Sequence, residues 1–180
     1  KMGDREEFLA LWHQHVTRSG SEKLLEWLDK KTDFFTAPAS TRFHGACEGG
    51  LCMHSLNVYH ALHDTFFTEG DSEETFAICA LLHDLCKTKL YHQKEKWKKD
   101  EAGRWMSYPG YEVKDDFPFG HGEKSCLILN WFIRLKQEEL LAIRWHMGMF
   151  DITEAGSPSR YAFYAAMEKS PLVTLLQVAD

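Results

Sequence analysis

An adjacent histidine and aspartate, His83 and Asp84, interrupt the otherwise apolar segment 77–86. Burying an ionised carboxylate among apolar side chains costs several kcal/mol unless a cation or hydrogen bonds compensate its charge. A divalent metal ion is an effective compensation, because histidine nitrogen and carboxylate oxygen both bind manganese, iron and zinc. Asp180 poses the same problem, since it follows the nearly apolar stretch 172–179. The two acids therefore predict a shared partner, and a metal ion suits both.

Three further histidines lie close to predicted element ends, where a side chain can point into a common cleft. His54 follows a Gly-Gly pair, His121 lies between two glycines, and His146 lies at the end of a predicted helix. A single buried histidine is more often a hydrogen-bonded core residue than a ligand. Five separate segments that supply nitrogen and oxygen donors together favour a metal site instead.

Other reactive side chains fit simpler interpretations. His63 and Asp64 form a second His-Asp pair, but no apolar run precedes them and no lysine follows in register, so a polar helix face is predicted. The five cysteines contain no CxxC pair and are predicted to be free thiols, most of them buried.

Hydrophobic periodicity predicts that most of the chain is helical. Residues 89–116 break that rhythm, because aromatic residues flank a turn at 100–103, which favours an irregular β-hairpin. Residues 36–50 are small, polar and glycine-containing, and are predicted as a loop. The fold class is therefore all-α with a small β-hairpin insertion. Helices are expected over 5–18, from 21, over 51–68, 72–87, 121–134, 137–147 and 159–169, and from Pro171.

Composition favours one soluble globular domain over residues 1–180, with a helical extension at 1–35. With 21 basic and 27 acidic residues the formal net charge is −6, which argues against a dedicated nucleic-acid surface. No apolar run is long enough for a membrane span, and a cytoplasmic protein is expected. Because Asp180 follows an apolar segment that is predicted to be helical, we expect the native chain to continue beyond it.

The segment Leu81-Leu82-His83-Asp84-Leu85-Cys86-Lys87, with His54 before it and Val178-Ala179-Asp180 after it, resembles the HD-domain metal-dependent phosphohydrolases. Gly120-His121-Gly122 and Arg144-Trp145-His146 resemble the two additional histidines of the binuclear members. The resemblance covers about residues 43–180 and implies an HD helical bundle. It does not extend to the first forty residues or to the hairpin.

The resemblance implies a role for each of these residues. His54, His83, Asp84 and Asp180 would bind one divalent ion, and Asp84 would bridge to a second ion held by His121 and His146. Manganese and iron are the first expectations for both ions, with magnesium, cobalt, nickel and zinc as alternatives. Lys87 matches the family's HDxxK lysine, which lies near the substrate phosphate.

The implied reaction is hydrolysis of a phosphoester of a small substrate, a nucleotide by resemblance, through attack of a metal-bound hydroxide. Asp84 and Lys87 would be the catalytic residues, and Lys87, Arg144 and Arg160 candidate phosphate contacts, although either arginine can equally be a surface charge. Leu85-Cys86-Lys87 replaces the Gly-Tyr-Pro triplet of the HD-GYP branch, and Lys87 excludes the HDxxE variety.

Two other functions remain open at this stage. A branch of the same superfamily holds two irons with a similar ligand set and performs oxygenation, and histidine and carboxylate ligands do not separate it from a hydrolase. A nucleotide-binding module with a structural metal site is the other alternative. Neither the choice between monoester and diester nor an oligomeric state follows from the residues.

Overall fold

The computed structural model describes residues 1–42, 45–152 and 157–180. Within these ranges the chain forms eight α-helices and one antiparallel pair of strands, which confirms the predicted all-α fold with a β-hairpin insertion. Short 3₁₀ helices lie at Leu85–Lys87 and Gly148–Asp151. The elements are α1 (Asp4–His15), α2 (Ser21–Lys31), α3 (Gly50–Phe66), α4 (Glu73–Leu82), β1 (Tyr91–Lys99), β2 (Trp105–Val113), α5 (His121–Asn130), α6 (Gln137–Arg144), α7 (Pro158–Lys169) and α8 (Pro171–Ala179).

Helix α4 is the centre of the hydrophobic core. Its residues from Thr75 to Leu82 are all buried, as expected for a helix whose apolar side chains surround the whole axis. The Ser72 hydroxyl accepts a hydrogen bond from the Thr75 N–H at the helix start. Helices α1, α3 and α6 pack around α4. The residues that directly follow α4 therefore lie in the interior of the domain.

Two helices end earlier than predicted, and both end at a histidine-containing turn. The helix expected over 72–87 ends at Leu82, and the helix expected over 137–147 ends at Arg144. The His83 ring nitrogen Nδ1 lies 2.8 Å from the Ala80 carbonyl oxygen, which a continuing helix would use for a backbone bond. The His146 ring makes the same contact with the Ile143 carbonyl, at 2.7 Å.

The first helix also ends early, at His15 rather than at residue 18. The backbone N–H groups of Thr17 and Arg18 donate to the Glu74 carboxylate, at 2.8 and 3.0 Å, instead of continuing the helix. Similarly, α5 ends at Asn130 rather than at 134, and the following residues form turns.

A buried ion-pair network attaches the N-terminal helices to the rest of the domain. The Arg18 guanidinium donates two hydrogen bonds to Glu139, at 2.6 and 3.0 Å, and two to Glu74, at 3.2 and 3.0 Å. The Glu139 side chain is fully buried and also accepts from the Thr75 hydroxyl and the Lys136 N–H. This network, which the sequence did not predict, joins the α1–α2 connection to α4 and α6.

The two strands form a projecting ribbon in which Tyr91 lies opposite Val113 and Lys99 lies opposite Trp105. Most of its side chains are exposed, including Lys94, Lys98 and Lys99. Among the described residues, no helix combines the length and the apolar character that a membrane crossing requires.

We expect Arg18→Met to destabilise the protein by about 3–5 kcal/mol, because it leaves the buried Glu139 carboxylate without its cation. The free energy of unfolding is measured by urea denaturation, monitored by circular dichroism. Arg5→Met is the matched control, since the Arg5–Asp29 pair is exposed and its loss costs about 1 kcal/mol or less. Equal effects of the two substitutions would contradict the assigned role of the network.

Candidate metal centre

Four of the predicted ligands meet where α3, the end of α4 and the end of α8 converge. The Asp180 oxygen Oδ1 lies 2.8 Å from His54 Nε2 and 3.1 Å from His83 Nε2. The two histidine nitrogens are 3.3 Å apart, and Asp84 Oδ2 is 3.4 Å from each of them. One ligand atom from each of the four residues lies within 4.8 Å of all the others, so the cluster can hold a metal ion.

Local sequence explains how three separate elements reach this point. His54 lies in the second turn of α3, whose first residue, Gly50, lies so close to Gly45 that a Cβ atom would overlap the Gly45 carbonyl. A glycine is therefore required where α3 begins. Asp180 directly follows α8, which packs against α3, α6 and α7.

The orientation of the buried histidines suits metal binding. His83 and His146 each place Nδ1 against a backbone carbonyl, three residues earlier in the chain, so Nδ1 carries a proton that it donates. Metal-binding histidines are held in this way by a hydrogen bond from the nitrogen that does not bind the ion. The Nε2 atoms of both rings face carboxylates. This donor set fits a divalent transition-metal ion.

Strong electrostatic coupling holds the cluster together. Burial opposes the charged form of His83, but the Asp84 and Asp180 carboxylates outweigh it and raise the pKa of His83 to about 10. Burial also opposes the charge of Asp84, yet His83 and hydrogen bonds from His146 and His54 hold the pKa of Asp84 well below its usual range. The pKa of Asp180 is likewise lowered against burial, by hydrogen bonds from His54 and His83. A proton on His83 thus compensates the charges of the Asp84 and Asp180 carboxylates, and a divalent metal ion can compensate them instead.

The two oxygens of Asp84 face different partners. Oδ2 faces His54 and His83, and it also accepts from the Lys87 ammonium at 3.1 Å. Oδ1 lies 3.0 Å from Nε2 of His146, whose side chain is buried. The carboxylate therefore lies between the nitrogens of His54, His83 and Lys87 at one oxygen and the His146 nitrogen at the other.

His121 is the first residue of α5 and is exposed. Its Nδ1 lies 3.6 Å from Sγ of Cys86, two residues beyond Asp84. The neighbouring Gly122 lies directly against the backbone of Arg144, where a Cβ atom would overlap the Arg144 carbonyl oxygen. Gly122 thus lets the start of α5 approach the end of α6, from which the chain continues to His146.

The predicted substrate cations differ in their surroundings. Lys87 contacts the cluster through Asp84. The Arg144 guanidinium binds Glu123 at 2.7 Å and lies 3.8 Å from the centre of the Trp145 ring. Arg160, in α7, donates to the Tyr164 hydroxyl at 3.2 Å. Throughout residues 1–42, 45–152 and 157–180, no hydrogen bond or ion pair joins either arginine to the four-residue cluster.

Sequence reasoning overlooked two features near the site. Lys124 is buried and pairs with Asp115 at 2.9 Å, although only its place three residues after His121 could have drawn attention to it. Lys89 adopts a positive φ of 56°, and its N–H donates to Asp33 of the N-terminal region at 2.6 Å. This contact fixes the turn between the His-Asp segment and the hairpin.

We expect His83→Ala to remove the metal ion, whereas His63→Ala should retain it. His63 lies outside the cluster, where its ring binds Glu73 at 3.0 Å and stacks on Phe67. Metal content after dialysis against manganese, measured by inductively coupled plasma mass spectrometry, distinguishes the two variants. The reverse result would show that the wrong histidine had been assigned to the cluster.

We also expect metal binding to release protons. With a pKa of about 10, His83 is protonated at neutral pH, so an ion that binds Nε2 must displace that proton. Affinity should therefore rise as the pH is raised toward the pKa of His83. Titration calorimetry in buffers of different ionisation enthalpy measures the release, and a binding heat independent of the buffer would contradict this expectation.

Comparison with known families agrees with this geometry. A family model described as HD domain matches residues 52–180, which include the whole four-residue cluster. Searches of curated proteins and of solved structures give no significant match. Since the family model covers well over half of the sequence, the chain belongs to the HD domain family.

Proposed function

We propose that this protein is a metal-dependent phosphohydrolase that cleaves a phosphoester, with nucleotides as the substrate class. HD domains are generally metal-dependent hydrolases, and the His/Asp cluster can hold the metal. The observation that carries the proposal is Asp84, a nearly fully buried carboxylate surrounded by histidine nitrogens and one lysine ammonium.

We further propose that the site holds two metal ions, which share the Asp84 carboxylate. His54, His83, Asp84 and Asp180 would hold the first, and Asp84, His121 and His146 would hold the second. In support, the Asp84 oxygens face separate nitrogen groups, and His146 contacts the oxygen that the first group does not use. Divalent ions in such a site supply Lewis-acid stabilisation of phosphoryl charge and activate water.

Lys87 is the protein's own cation beside the reacting phosphate. Burial opposes its charge, but the neighbouring Asp84 carboxylate raises the pKa of Lys87 above its ordinary value, so the ammonium remains protonated at neutral pH. The bond to Asp84 fixes the ammonium in place before any substrate arrives. A preorganised charge of this kind stabilises the negative charge that develops on phosphoryl oxygens.

The two arginines are weaker candidates for phosphate contacts. Arg144 pairs with Glu123 at 2.7 Å and has no described bond to the four-residue cluster, whereas Lys87 pairs with Asp84 of the cluster. Arg160 is half-buried and has only the Tyr164 hydroxyl as a described hydrogen-bond acceptor for its guanidinium. We therefore assign the principal phosphate contact to Lys87 and keep both arginines as secondary candidates.

The protein loaded with Mn²⁺ is expected to hydrolyse bis(p-nitrophenyl) phosphate, p-nitrophenyl phosphate or a member of a nucleotide panel, and EDTA should abolish the rate. Lys87→Met should lower the rate by about 10²-fold, the scale for loss of one preorganised charge. Lys114→Met is the matched control, since that lysine is exposed and pairs with Glu112 of the hairpin.

Two results would contradict the proposal. One is the absence of turnover with Mn²⁺, Fe²⁺, Co²⁺, Ni²⁺, Mg²⁺ and Zn²⁺ on all of these substrates. The other is iron-dependent oxygen consumption without phosphate release, which would identify the di-iron oxygenase alternative.

A further inference from the structure

We infer that the ion pair between the buried side chain of Lys124 and the exposed carboxylate of Asp115 positions His121 for the second metal ion. The pair lies outside the four-residue cluster and joins α5 to residues 114–120, the loop that leads from the hairpin to His121. The inference rests on the proposed function only in making His121 a metal ligand. Lys124 is thus a positioning residue, which acts through His121 and not on the substrate.

Lys124 is the buried member of this pair. The Lys124 side chain is only 9% exposed, and its ammonium lies 2.9 Å from Asp115 Oδ1. A buried ammonium is costly unless it is paired and hydrogen-bonded. The same carboxylate oxygen accepts the Phe117 N–H at 3.0 Å, and the ammonium lies 5.8 Å from the centre of the Phe117 ring. One oxygen atom therefore ties α5 to two points of the loop.

Few other contacts of the loop are described. The Lys114 N–H donates to the Leu90 carbonyl at 2.9 Å, and the Phe117 ring centre lies 6.4 Å from that of Trp131. Residues 114–120 form neither helix nor strand. The Phe117 and Phe119 rings stack on each other 5.8 Å apart, but they are 38% and 50% exposed and so contribute little apolar burial. Asp115 therefore makes the side-chain hydrogen bonds described between this loop and Lys124 of α5, and it restrains the path of the chain into that helix.

The first turn of α5 is held from two sides by consecutive residues. Gly122 and Glu123 hold it against Arg144, through close backbone packing and a 2.7 Å ion pair. Lys124 holds it against the loop. The His121 ring itself is exposed, and Sγ of Cys86 at 3.6 Å is its described contact. The direction of the ring thus depends on how α5 begins.

The test compares Lys124→Met with Lys124→Arg, which keeps the charge, and with Lys94→Met as an exposed control outside the loop. In protein from which a chelator has removed the metal, Lys124→Met should shift the side-chain NMR resonances of His121. It should also speed amide hydrogen exchange in residues 114–120. In manganese titrations it should weaken the second ion by about 10–100-fold, the usual effect of losing a residue that supports a metal ligand, while the first ion binds as in the wild type. Lys124→Arg should restore both properties.

Unchanged His121 resonances and unchanged binding of the second ion in Lys124→Met would overturn the inference, as would equal weakening of both ions. If Lys124→Met fails to fold, the double substitution Lys124→Met with Asp115→Asn gives the same readouts, because neither charge of the pair is then left without its partner. If the wild type binds a single ion, the two-ion proposal fails, and the NMR comparison in the chelated protein still decides whether the pair positions His121.

Discussion

The charge of Asp84 is the constraint on which the architecture depends. Its side chain is 2% exposed and lies two residues after the fully buried end of α4, so water cannot stabilise the carboxylate. Partners from several elements stabilise it instead. His54 comes from α3, His146 follows α6, and Lys87 lies one turn after Asp84 itself. Removing any one of these elements would leave a buried charge with too few partners.

The surrounding packing follows from the need to bring these partners together. Gly50 lets α3 begin against the preceding loop, and Gly122 lets α5 begin against the end of α6. The Arg18 network holds α4 and α6 to the N-terminal helices from the side of Glu74 and Glu139. A site built on rigid elements in this way keeps its donors in place before an ion or a substrate binds.

The cluster residues could be predicted from the sequence because they depart from local patterns, as His83 and Asp84 do in an apolar helix. The ends of α4 and α6 could not, because they depend on histidine side chains that compete for backbone carbonyls. The Arg18 network could not be predicted either. Its partners Glu74 and Glu139 are 56 and 121 residues away and resemble ordinary surface charges in the sequence. Arg144 was predicted as a phosphate contact, and periodicity gave no sign that Glu123 pairs with it.

If Asp84 bridges two metal ions, as we propose, a crystal saturated with Mn²⁺ should show two anomalous scattering peaks about 3.5–4 Å apart. His54, His83 and Asp180 would lie at one peak, and His121 and His146 at the other. A single peak at full saturation, with His121 and His146 both free of it, would show that the site is not binuclear.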